Sequence, residues 1–233
     1  MFRWLKKLDA DDSGLAKIVR EFERMLTNGR QVFDAATSAY LGAADASLVR
    51  PDLISTDQEI NRLERQIRRA IIVHATVYGV SEFPACLVLM SITKDAERIG
   101  DYSKNILDLA TFGPKPKGTP YFDQLLDLKS RISKMLQDTR ELYEAQDSER
   151  APAFIEVAEV LKDDCDDAVE KILRAHDAES VQPADPASTA LCFRYYKRVI
   201  SHARNIVTSI IVPVDRLDYF DESKDTRDGD PPI

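Results

Sequence analysis

Apolar residues recur at helical spacing along almost the whole chain. Between Leu15 and Leu41 they fall at Ile18, Phe22, Met25, Leu26, Val32, Phe33 and Ala36. Between Asp57 and Tyr78 they fall at Ile60, Leu63, Ile67, Ile71, His74 and Val77. Steps of three and four place such residues on one face of a helix, with Arg62, Arg65, Gln66, Arg68 and Arg69 left for the other. Ser81-Glu82-Phe83-Pro84 reads as a helix start with proline in its first turn, opening a helix that runs to Phe112. GPKPKGTP (Gly113–Pro120) then breaks the pattern, with glycine or proline at five of eight positions. Three further helices are predicted. Pro120–Ala145 carries Phe122, Leu125, Leu126, Leu128, Ile132, Met135, Leu136 and Leu142. Ala153–His176 carries Val157, Val160, Leu161, Ala168, Ile172 and Leu173, and the last helix, Ala187–Ile211, follows the break VQPADP.

Three helices, a break and three more helices suggest a duplication. Ile92, Ala96, Ile99, Ser103, Ile106 and Ala110 have counterparts 100 residues on at Cys192, Tyr196, Val199, Ala203, Ile206 and Ile210. On the outer face Lys104-Asn105-Ile106 meets Arg204-Asn205-Ile206, a match harder to obtain by chance than an apolar stripe. The expected architecture is all-α: two tandem three-helix bundles over residues 1–112 and 120–217, followed by a tail over 218–233. That tail holds six acids and two bases and reads as a disordered or acidic arm.

Composition narrows the classes. The 233 residues include only 8 Gly and 11 Pro, too few for a fold made of many tight turns. A net charge of -8 opposes general nucleic-acid binding, which needs a positive surface. Cys86, Cys165 and Cys192 lie far apart, so neither a disulfide framework nor a zinc site is expected. The apolar windows at Ala70–Val73, Leu87–Met90 and Ile206–Val214 are much shorter than the roughly 20 residues of a spanning helix. The opening MFRWLKKL meets Asp9, Asp11 and Asp12 too soon for a secretory signal, so a cytoplasmic protein is expected. Phe2, Trp4, Lys6 and Lys7 suit either a turn folded onto the bundle or contact with a membrane surface.

Candidate chemistry concentrates on acids. Glu97 and Asp101 stand four apart and project from one helix face about 6 Å apart. Asp57 and Asn61 repeat that spacing one helix earlier. Facing oxygen donors of this kind suit a hard metal ion or cluster. They equally suit a solvated face neutralised by Arg62, Arg65, Lys94 and Arg98. A di-iron oxidase needs Glu-x-x-His, and the residues three before His74, His176 and His202 are Ile71, Leu173 and Val199. Neither a GxSxG elbow nor a glycine-rich phosphate loop is present, and no cysteine has an evident histidine partner. His74 on its apolar stripe reads as a core histidine.

AERIGDYSKNI (Ala96–Ile106) resembles the hallmark segment of the PhoU proteins, cytoplasmic regulators of phosphate uptake. TDQEINRLERQIRRAI (Thr56–Ile71) is similar to that family's preceding helix, and the resemblance spans roughly Leu15 to Tyr219. It implies tandem three-helix bundles, and regulation without catalysis through a phosphate transporter subunit or a sensor histidine kinase. It also implies a divalent or trivalent metal ion (iron, zinc, magnesium or manganese) held by Glu97, Asp101, Asp57 and Asn61. Asn61 stands where the family usually has Asp. In the second half Lys197 and Ser201 replace Glu97 and Asp101, facing Asp163, Asp164, Asp166 and Asp167, so a salt-bridge network is expected there. A homodimer, no membrane insertion, and recruitment to the inner membrane through protein partners complete the expectation. The alternatives are an accessory protein of another inorganic-ion transporter and a metal-dependent enzyme with its site at Glu97 and Asp101.

Overall fold

A computed structural model describes residues 14–174, 186–213 and 216–217. Six α-helices make up its framework: α1 (Gly14–Tyr40), α2 (Ala46–Tyr78), α3 (Phe83–Phe112), α4 (Phe122–Ala145), α5 (Ala151–Arg174) and α6 (Pro186–Thr208). No strand occurs among the described residues. The expected opening turn, most of the VQPADP break and the acidic tail lie outside them. α2 starts eleven residues before the periodicity shows. Asp45 caps it, its carboxylate accepting from the Ser47 N–H at 2.8 Å, and the helix continues through Pro51. A short 3-10 turn, Gly79–Glu82, leads into α3, where Pro84 takes one of the first positions as predicted.

α1, α2 and α3 pack on one another, and α6 packs on both α4 and α5. The two bundles join along α3–α6 and α1–α4. All twelve positions of the proposed repeat are buried, Ile99 and Val199 among them. α3 and α6 run antiparallel: Asp95 meets His202, while Tyr102 meets Tyr195 at 6.1 Å between ring centroids. Residues 102 and 202, equivalent in the repeat, stack on each other with centroids 5.6 Å apart and ring planes 19° apart. A pseudo-twofold axis therefore passes between these two rings.

The bundles differ in closure. α4 and α5 barely touch, leaving a groove of about 540 Å³ over Met135, Leu142, Phe154 and Leu161. Val157, counted in the apolar stripes, is exposed along this groove, and Leu126, Val160, Leu173 and, on α2, Val77 are exposed as well. A two-sided stripe in sequence does not reveal that one side lacks a helix to cover it.

Candidate functional site

Ala96–Ile106 occupies the middle of α3, and its residues divide by direction. Ala96, Ile99, Ser103 and Ile106 enter the core. Gly100 faces α2; a β-carbon there would meet Ile60 Cδ1 at 3.2 Å and Asp57 Oδ1 at 3.5 Å, so glycine permits the close approach of the two helices. That approach brings Asp57, on α2, opposite Asp101 and Lys104 on α3.

Between the helices lies a seam of alternating charge. Lys104 Nζ stands 2.9 Å from Asp57 Oδ2 and 3.0 Å from Asp101 Oδ1. Lys94 Nζ stands 2.6 Å from Glu97 Oε2 and 3.8 Å from Glu64 Oε1. Arg68 closes on Glu64 at 3.1 Å, and the Asn61 amide donates to Asp57 Oδ2 at 3.2 Å. Burial disfavours the Lys104 charge, but hydrogen bonds to Asp57 and Asp101 outweigh it and raise the ammonium above its ordinary value. Glu97 moves the same way for a different reason. Burial, and after it the Asp101 charge, lift its carboxyl above the usual range against the pull of Lys94.

The four predicted metal ligands are thus brought to one seam, but not to one point. Asp57 and Asp101 flank Lys104, Asn61 bonds Asp57, and Glu97 lies between Lys94 and Asp101. The Asn61 amide presents hydrogens to Asp57, not its oxygen to a cation. No group of three His, Cys, Asp or Glu side chains able to hold a metal ion occurs among the described residues. Each of the three carboxylates is already met by an ammonium, Asp57 and Asp101 by that of Lys104 and Glu97 by that of Lys94. Sequence reading placed Lys104 on an outer face. Its spacing from Asp101 (three) and Glu97 (seven) was the available signal.

The second bundle has a corresponding seam. Lys197 pairs with Asp166, which also receives Arg194 at 3.3 Å, and Arg131 bonds Asp164 at 3.1 Å. Arg204, equivalent to Lys104, lies 2.8 Å from Glu159 on α5. Lysine or arginine at the head of each basic-Asn-Ile triplet thus performs the same task, reaching an acid on the second helix of its own bundle. Both bundles thus carry a salt-bridged seam, the first along α2 and α3 and the second along α5 and α6.

Sequence reading also missed the polar cluster at the pseudo-axis. Asp95, buried on α3, is bonded by His202 Nδ1 at 2.8 Å and by the Asn205 amide at 3.1 Å. Arg198 lies over the Tyr102 ring, 5.8 Å from its centroid, and its Nε donates to the phenol at 3.3 Å. All three cysteines are buried, and burial raises each thiol above its ordinary value, Cys165 to about 12. His74 is a buried histidine stacked on Tyr78 at 4.4 Å; neither ring nitrogen finds a hydrogen-bond partner among the described residues.

These features define a class: an all-α, pseudo-symmetric pair of three-helix bundles whose polar groups are engaged in joining helices. The family model for the PhoU domain matches residues 22–110. Among solved structures, PhoU from Pseudomonas aeruginosa superposes with a TM-score of 0.72 at 19% identity, over 88% of this chain and 96% of that one. The phosphate transport system regulatory protein PhoU from Streptococcus pneumoniae superposes with a TM-score of 0.70 at 17% identity, over 89% of this chain and 97% of that one. No curated protein matches the chain by sequence. The PhoU-domain match is confined to residues 22–110, whereas the fold likeness extends over both halves, and the all-α tandem-bundle architecture expected from the sequence is borne out.

Proposed function

We propose that this chain is a PhoU-type regulator of phosphate uptake that works by binding a phosphate transporter subunit, a sensor histidine kinase, or both. The observation that carries the reading is the PhoU-domain match at residues 22–110 within a fold that follows PhoU structures over nearly their full length. Residues 1–112 and 120–217 act as the two repeat units, with 218–233 as an appended tail. The protein acts at the cytoplasmic side of the inner membrane and catalyses no reaction. In this reading Asp57, Asn61, Glu97 and Asp101 form a lysine-closed seam that fixes α2 against α3. Lys104 and Lys94 supply the positive charge that a metal ion would otherwise bring.

Co-purification tests this. Tagged protein drawn from phosphate-replete cells should bring down a phosphate transporter subunit or a phosphate-responsive histidine kinase, and the capture should weaken on phosphate starvation. Recovery of a transporter for a different inorganic ion instead would favour the accessory-protein alternative. Metal-dependent turnover of a phosphate compound, lost in Glu97→Gln, would favour the enzyme.

A further inference from the structure

We propose that the end of the first bundle formed by the α2–α3 turn is a surface that adsorbs to anionic lipid. One outward stripe of α2 carries Arg62, Arg65 and Arg69 and then, at the same helical spacing, Ile72, Val73 and Val77. Beyond the stripe, Tyr78, Phe83 and Leu87 continue the apolar surface around the turn. These six apolar side chains are 46–69% exposed. Of the fourteen exposed large hydrophobic residues among those described, six fall within these sixteen positions, while the others are spread over the rest of the molecule. Scattered exposed hydrophobics are ordinary; a contiguous group at one end, backed by cations, is not.

α1 adds charge to the same end. Arg24 pairs with Glu59 at 3.0 Å and the Gly14 backbone lies against His74, so α1 runs antiparallel to α2 and brings exposed Lys17 and Arg20 alongside its arginines. Lys17, Arg20, Arg65 and Arg69 make no ion pair among the described residues, whereas most exposed cations elsewhere are paired. An apolar tip with aromatic rings, followed by a belt of unpaired lysine and arginine, suits the boundary between acyl chains and anionic headgroups. Taken over the whole chain, a net charge of -8 opposes contact with anionic lipid. Salt screens charge beyond about 8–10 Å, so the local sign at the tip governs adsorption and the distant acids do not. Adsorption at this depth needs no spanning segment, and no described helix is long and apolar enough to be one.

Flotation of the full chain with vesicles tests the proposal. The protein should float with vesicles of phosphatidylcholine containing phosphatidylglycerol, stay behind with phosphatidylcholine alone, and release at high salt. Each lysine or arginine near an anionic surface is worth about fivefold in partitioning, so Arg65→Glu with Arg69→Glu should lower it more than tenfold. Val73→Asp with Val77→Asp should lower it as well, with circular dichroism and thermal midpoint unchanged because both residues are exposed. Leu48→Asp, at the opposite end, should leave it unaltered. Absence of a preference for anionic vesicles, equal loss in the Leu48 variant, or binding only to vesicles carrying a transporter protein would overturn the proposal. None of these outcomes would touch the regulatory reading, which rests on capture of a protein partner.

Discussion

Lys104 decides what the acidic face of α3 is. Two carboxylates meet its ammonium at hydrogen-bond distance, one of them from the neighbouring helix. Lys104→Met should leave Asp57 buried without its cation. The loss should be about 1–2 kcal/mol in urea unfolding, less than for a fully buried pair because Lys104 remains one-third exposed. Unchanged stability would show that the seam is only a solvated face. Glu97 gives a pH test. Its carboxyl is raised, so the folded state holds this proton more tightly than the unfolded chain, and its stability contribution falls as pH rises from the ordinary glutamate value through the raised one. Glu97→Gln removes that dependence. Its stability relative to the wild type should therefore improve as pH rises above the ordinary glutamate value; a decline would contradict the assignment. The acids and Lys94 were legible in the sequence. The reach of Lys104 across to Asp57 was not, because it depends on how closely two helices approach.

At the scale of elements, that approach is set by Gly100, and the core behind it by Ile99. Burial of Ile99 and Val199 at equivalent positions predicts a loss of about 2–5 kcal/mol for Ile99→Ala and a smaller loss for Val199→Ala. Near-zero cost at either position, measured by denaturant unfolding, would break the equivalence of α3 and α6. Helix existence was legible because each element buries one periodic face. The early start of α2 was not, since Asp45 capping lies upstream of the first regular stripe and Pro51 interrupts the pattern. The openness of α4 against α5 was illegible for a different reason: periodicity shows which face is apolar, not whether a neighbour covers it. Val157 and Val160 looked like core and face outward.

At the scale of the whole molecule, two bundles are joined along α1–α4 and α3–α6, and the second junction is centred on the stacked pair Tyr102 and His202. His202→Phe preserves a ring for Tyr102 but removes a hydrogen bond from buried Asp95, and should cost about 1–3 kcal/mol. Combined with Asp95→Ala, the cycle should show a coupling of at least about 0.5 kcal/mol; strict additivity would mean that the two side chains do not act together. The tandem architecture could be read from the 100-residue repeat, whereas this junction could not, because Asp95 and His202 occupy positions the duplication does not make alike. Regulation of phosphate uptake is the account's central claim, and uptake is its most direct measure. Deleting the gene from the native host and following radiolabelled phosphate entry in phosphate-rich medium should reveal uptake or starvation signalling released from restraint, and the intact gene supplied in trans should restore control. Uptake and signalling that remain at wild-type levels in the deletion strain would contradict the account.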